Sequence, residues 1–226
     1  MSKCDTTEIK CKYCGEIGTF RYWGSVNTVL NPELKQAVRT GELFKYECPK
    51  CKKTSMVHYE FLYHQMEDSF IIFHAENREH AQLWLNSLNE SMNHEKMGDL
   101  FKATSGKYVF RAVDTLHKLN EKVAIFEAGL DDRVIEVAKI IAMASFMRSN
   151  PEDDIDDVYF AFGDDSKKVL VFLNEETPVA SAELSDSIYD YVKATYIDTR
   201  PSIQEDDRII DSEWACKVME EHFGDE

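Results

Sequence analysis

Val57, Tyr59, Phe61 and Tyr63 alternate with polar neighbours, the period-two pattern of a half-buried strand. The run Phe70-Ile71-Ile72-Phe73 follows a short polar turn and is expected to pair with it. Between them and the N-terminus, Asn31-Pro32-Glu33-Leu34 reads as a helix start, because proline is tolerated in a first turn, and Gly41 as its end. The pattern then changes period. Ala81, Leu85, Leu88 and Met92 fall on one face of a helix, and Lys107 to Val113 reads as a strand. Asp114 is a candidate N-cap for a helix that stops near Gly129. Leu130-Asp131-Asp132-Arg133 opens another, its acids placed where the helix dipole favours them. From Val134 to Phe146 this helix is apolar on most sides, interrupted by Glu136 and Lys139, and too short to span a bilayer; it is expected to be a core helix or a subunit contact.

Pro151 and the acidic run Glu152–Asp157 mark the next boundary. Val158–Phe162 and Val169–Leu173 flank a Gly-Asp-Asp-Ser-Lys-Lys turn, a hairpin signal, and Pro178 to Leu184 supplies a third strand. Ser185 or Ser187 caps a helix with Ile188, Tyr191 and Val192 on one side, and Ile210, Trp214 and Val218 mark a last helix. The pattern predicts an α+β protein: an N-terminal antiparallel β region packed on helices, then a small β-meander with helices. The domain division expected from it is 1–149 and 150–226, the second an acidic α/β region that could belong to the same domain.

Composition changes this picture in one respect. The chain has 226 residues and a formal charge of −16, from 26 basic and 42 acidic side chains. Residues 1–55 carry ten Lys/Arg against six Asp/Glu, and residues 150–226 carry six against twenty-two, so the acidity belongs to the last third. Its acids lie mostly between periodic segments and read as solvated loops. A pI of about 4.9 disfavours a protein that coats nucleic acid over its whole surface. No apolar run reaches a membrane-spanning length and the polar start lacks a signal-peptide core, so no membrane association and a cytoplasmic location are expected.

Five of the six cysteines precede residue 52, and four form the pairs Cys11-Lys12-Tyr13-Cys14 and Cys48-Pro49-Lys50-Cys51. A two-residue spacer lets two thiolates meet one ion while intervening N–H groups bond the sulfurs. Two such turns give a closed tetrahedral shell, so Cys11, Cys14, Cys48 and Cys51 are expected to hold a structural Zn²⁺. Cys4 could replace a ligand, and Cys216 is expected to be a buried apolar residue.

Asn31 to Lys35, Gly41 to Phe44, Cys48-Pro-Lys-Cys51, Leu62-Tyr63-His64 and Phe70 to Phe73 resemble the CpXC domain, a prokaryotic family named for its Cys-Pro-x-Cys element. Glu121-Lys122, Ile125-Phe126-Glu127 and Gly129 to Glu136 are similar to a segment that often follows it, so the likeness covers about residues 8–140. It implies a zinc-ribbon-like, metal-binding domain of no established activity. The sequence departs from the pattern at Lys12, where proline is common, at Lys52, where glycine is common, and at Gln65, where an Asp often follows Tyr-His.

No nucleotide-binding glycine loop, nucleophile elbow or histidine metal pattern occurs. The function expected is that of a non-enzymatic zinc protein whose Cys4 site organises a docking surface for a protein partner. Lys45, Lys50, Lys52 and Lys53 would form that surface with Tyr13, Phe20, Tyr22 and Trp23. Local nucleic-acid contact at the same basic end is one alternative. An enzyme using Tyr63 and His64 with Asp132 or Glu136 is the other; it requires these groups in one pocket, and pairing of the acids with Arg133 and Lys139 would remove its support.

Overall fold

A computed structural model describes residues 2–93, 108–199 and 207–224. Lys107, with which the expected strand up to Val113 begins, lies outside the described residues. The chain forms two compact units, Met1–Asn120 and Glu121–Glu226, a division ahead of the 149/150 boundary expected from the acidic run.

The first unit is built on a five-stranded sheet of order β1-β2-β5-β6-β7. Its strands are β1 (Lys3–Lys10), β2 (Ile17–Asn27), β5 (Phe61–Gln65), β6 (Phe70–His74) and β7 (Val109–Val113). The β1/β2 and β5/β6 pairs are antiparallel, while β2/β5 and β6/β7 are parallel. A separate antiparallel ladder joins β3 (Lys45–Glu47) to β4 (Thr54–Met56). The helices are α1 (Leu34–Arg39) and α2 (Arg78–Asn93), with Ala81 and Leu85 of α2 buried as its apolar spacing requires.

The strand expected around Val57–Tyr63 is divided. Residues up to Met56 belong to the β3/β4 ladder, residues from Phe61 to the large sheet, and 57–60 form the crossing. Two backbone groups of that crossing find partners outside the ladders: Val57 N donates to Phe44 O, and His74 Nδ1 lies 2.8 Å from Tyr59 O. Period-two burial survives because Phe61 and Tyr63 continue inward from the other sheet. The core there is aromatic, with Phe44 5.3 Å from Tyr59 and 5.2 Å from Phe61 between ring centroids.

The unit boundary falls within α3 (Leu116–Glu127). Thr115, rather than Asp114, caps α3: its Oγ1 accepts from Lys118 N, while Asp114 pairs with the Lys118 ammonium at 2.7 Å. At the other end Gly129, at φ 67°, closes a Schellman turn in which Gly129 N donates to Phe126 O and Leu130 N to Ile125 O. Asp131 then caps α4 (Asp132–Ser149) through Arg133 N. The first two turns of α4 are buried almost throughout, which explains why no polar face shows in the sequence there.

Three antiparallel strands, β8 (Asp157–Phe162), β9 (Lys168–Asn174) and β10 (Thr177–Glu183), form the meander in the order β10-β9-β8. Val158, Phe160, Leu170 and Phe172 share one core with α4. The helices α5 (Asp186–Val192) and α6 (Ser212–Gly224) complete it through Val192, Trp214, Ala215 and Val218. Ser185 is the cap of α5, accepting from Ile188 N. The face expected for α5 is corrected: Ile188 and Tyr191 are exposed, and Tyr189 turns inward because its hydroxyl accepts from Asp131 N at 2.8 Å. Cys216 is likewise exposed, one position off the buried Trp214-Ala215 stripe of α6.

Candidate metal centre

The four paired cysteines lie on two loops of matching backbone. The first connects β1 to β2 and the second connects β3 to β4, so each is the tip of an antiparallel ladder. Cys11 N donates to Glu16 O and Gly15 N to Cys11 O; Cys48 N donates to Lys53 O and Lys52 N to Cys48 O. The residue after each second cysteine is left-handed: Gly15 at φ 74° and Lys52 at φ 59°. Lys52 therefore stands, by conformation, where glycine fits best, the physical meaning of that departure.

This folding turns the sulfurs inward. The four Sγ atoms lie within 4.8 Å of one another and could hold a metal ion. Across the two loops, Cys11 Sγ is 3.7 Å from Cys51 Sγ and Cys14 Sγ is 3.6 Å from Cys48 Sγ. All six cysteines are free thiols. Cys4 is outside the group; it lies on β1, where its Sγ accepts from Arg21 Nε at 3.1 Å.

Backbone dipoles prepare the thiols for ionisation. Cys48 receives the N–H groups of Cys51 and Lys50, which outweigh burial and bring its pKa down to about 6. Cys11 is lowered in the same way by the N–H groups of Tyr13 and Cys14. The Glu16 N–H acts likewise on Cys14, but loss of water and the three neighbouring thiols push that group up to about 12. Four sulfurs this close cannot all carry negative charge without a cation, which is the electrostatic condition of a metal site. Tyr46 adds to it. Its buried hydroxyl has no hydrogen-bond partner among the described residues, and burial and then the Cys48 sulfur raise its pKa. Phe20, Tyr22, Tyr59 and Val57 pack behind the loops, so the sulfurs sit on an apolar base.

The surrounding basic residues are mostly committed. Lys50 bonds Glu16 at 2.9 Å, Lys52 pairs with Glu47 at 3.6 Å and Lys45 pairs with Glu42. Phe20 is buried and Tyr22 packs against the cysteine base, so neither offers a face. Tyr13 is 50% exposed, with Lys53 Nζ 4.8 Å and Lys12 Nζ 5.2 Å from its ring centroid. Trp23 is covered by Arg21 at 5.2 Å.

The other sequence candidates are accounted for within their own units. Tyr63 is fully buried and donates to Gln65 Oε1 at 2.7 Å. His64 lies between Asn27 Nδ2 (3.3 Å) and Tyr108 Oη (3.1 Å), and burial lowers its pKa. Asp131 pairs with Arg133. Asp132 and Glu136 meet Lys122 Nζ at 3.0 and 2.9 Å, and Glu136 also meets Lys139 Nζ at 3.1 Å. Lys139 further bonds both oxygens of Glu121, whose Oε1 accepts from Phe160 N at 2.6 Å. Glu136 is thus paired with Lys139, as the helix reading expected, while Asp132 is paired with Lys122. Lys122 is the partner that spacing missed; its signal was an ammonium among Leu119, Val123 and Ile125 on an apolar helix face.

Two cysteine-bearing loops at the tips of β ladders, closing on one four-sulfur centre, define a two-knuckle protein with a Cys4 site. Residues 9–139 match the family described as CpXC protein, and the chain belongs to the CpXC family. No curated protein and no solved structure matches it. Among the described residues no helix is long and apolar enough to cross a membrane.

Proposed function

We propose that this is a non-enzymatic zinc-binding protein in which Cys11, Cys14, Cys48 and Cys51 hold a structural Zn²⁺ and fix a docking surface for a protein partner. The observation that carries the metal is the sulfur spacing. A tetrahedron of about 2.3 Å Zn–S bonds has edges of about 3.8 Å, close to the cross-loop separations of 3.6 and 3.7 Å. Four thiolates leave no position for water, which suits a structural ion. Bound there, the ion would neutralise the sulfurs and lock both loops, and the Tyr46 hydroxyl would donate to the Cys48 thiolate. The docking element is Tyr13 between Lys12 and Lys53, a cation-flanked ring held by the first loop. In the same reading residues 150–226 do not fold alone, because their apolar residues share a core with Val134, Ile135 and Val137 of α4.

Metal analysis of the purified chain tests the first part. About one zinc per chain is expected, and Cys48→Ser should remove it. Less than about half an equivalent in the parent, unchanged in Cys48→Ser, refutes the zinc assignment. Affinity purification from the native host with Tyr13→Ala tests the second part. That variant should retain its zinc and lose its partner; a partner retained in full refutes the surface.

A further inference from the structure

The meander carries an apolar face that its own core does not use. Val158 and Phe160 of β8 and Leu170 and Phe172 of β9 point into the core. The alternate residues Tyr159, Ala161, Val169 and Val171 fall on the other face, where the register sets Tyr159 opposite Val171 and Ala161 opposite Val169. With Pro178 and Val179 of β10 they floor an open concavity of about 800 Å³. Val179 is 52% exposed.

Lys167 also lines the concavity but is paired with Glu183, so the charge left without an ion-pair partner around this floor is acidic among the described residues. Asp164 and Asp165 lie in the β8–β9 turn and line the concavity, while Glu175 and Glu176 form the β9–β10 turn at the other end of the sheet. All four are exposed and none has an ion-pair partner among the described residues. The nearby lysines are engaged, Lys167 with Glu183 and Lys168 with Asp186. Backbone geometry sharpens the point. Asp165, Glu175 and Glu176 have φ of 55°, 46° and 64°, where glycine or asparagine fits more easily. The two glutamates keep their charge at a conformational cost, a pattern associated with functional sites, whereas Asp tolerates this backbone and the adjoining Ser166, at φ 58°, is uncharged.

We propose that this face is a docking site for a cationic polypeptide segment with an apolar centre and Lys or Arg at both ends. The apolar side chains would cover Tyr159, Val169, Val171 and Val179, and the end charges would meet Asp164-Asp165 and Glu175-Glu176. The seven residues of β9 set the span at about 23 Å, so an extended segment of about seven residues reaches from one acidic turn to the other. The same acids repel nucleic acid and a second copy of this face. This site is independent of the cysteine loops and goes beyond the surface proposed there.

The test is fluorescence anisotropy of the full chain with a labelled peptide of two lysines at each end of a valine/tyrosine centre. Two comparison peptides have a serine centre and glutamate ends. The first peptide should bind, more weakly at higher salt, and the other two should not. Asp164→Asn with Asp165→Asn, Glu175→Asn with Glu176→Gly, and Val171→Thr with Val179→Thr should each weaken binding about tenfold. Asp5→Asn with Glu8→Gln, exposed acids on β1 of the first unit, should leave it unchanged. The Asn-Gly turn suits its backbone, so loss of binding in that variant cannot be attributed to unfolding. Three outcomes overturn the proposal: no binding, equal binding of the serine-centred peptide, or equal loss in the control pair. Self-association that the floor variants abolish would assign the face to a second copy and also overturn it.

Discussion

Lys122 is expected to be the most sensitive charged position in the second unit. Its side chain is 1% exposed and its ammonium faces Asp132 at 3.0 Å and Glu136 at 2.9 Å. At an effective dielectric of about 20, each contact corresponds to roughly 5 kcal/mol of attraction, set against a desolvation cost of several kcal/mol for each ion. Lys122→Met preserves much of the volume and removes the charge. Glu136 then keeps Lys139 at 3.1 Å, but Asp132 loses the ammonium it faces inside the core. Among the described residues the cluster holds three carboxylates, Glu121, Asp132 and Glu136, and two lysines. The substitution leaves them against one, and a loss of about 3–5 kcal/mol is expected. Urea unfolding followed by Trp214 fluorescence, with Trp23 and Trp84 replaced by Phe in parent and variant alike, measures it, and the loss should be smaller at pH 5 than at pH 8. The reason is that a carboxyl whose folded pKa is raised binds its proton more tightly when folded, so stability falls as pH rises through that folded value. Adding Asp132→Asn should recover at least half of the loss. A cost below about 1 kcal/mol for Lys122→Met, or a double variant as unstable as the sum of the singles, would show that packing rather than charge dominates.

Three further outcomes are expected. Lys52→Gly should raise stability by about 1 kcal/mol in urea unfolding with unchanged metal content, because it removes a β-carbon from a residue at φ 59°. Gly18→Ala should destabilise the cysteine loops by about 1–3 kcal/mol, since its Cβ would meet Tyr46 Oη and lie 3.2 Å from Pro49 Cδ; unchanged unfolding would mean that Tyr46 has room to move. His74 is buried and its pKa is lowered by loss of water, so the folded state holds fewer protons than the unfolded one. Its contribution is intact above the unfolded value of about 6.5 and is lost as pH falls through the lower folded value, so His74→Gln should flatten a thermal-stability profile on that acidic side.

What the sequence showed and hid follows from the range of each interaction. The two cysteine pairs were legible because a knuckle is local: two residues of spacing and two N–H groups make it. The hairpin of Val158–Phe162 with Val169–Leu173, the Gly129 stop, the acidic helix start at 130–133 and the Ser185 cap were legible for the same reason. The break at 57–60 was not, because alternation reports which side is buried and not which sheet does the burying. The parallel joins β2/β5 and β6/β7 were equally hidden, since each depends on a partner far along the chain. On α5 the apolar residues marked the wrong face, because Tyr189 is drawn inward by a hydrogen bond to Asp131 N, 58 positions away. The docking aromatics failed in part because Phe20 and Tyr22 serve the cysteine base; exposure cannot be read from residue type.

The unequal exposure of the four cysteines has a kinetic consequence. Cys11 is 4% and Cys48 0% exposed, whereas Cys14 faces solvent beside Lys12 and Tyr13. With the proposed zinc in place, an incoming chelator or oxidant would meet the exposed Cys14 and the half-buried Cys51 before the two buried residues, so exchange would start on that side and the buried pair would govern how firmly the ion is kept.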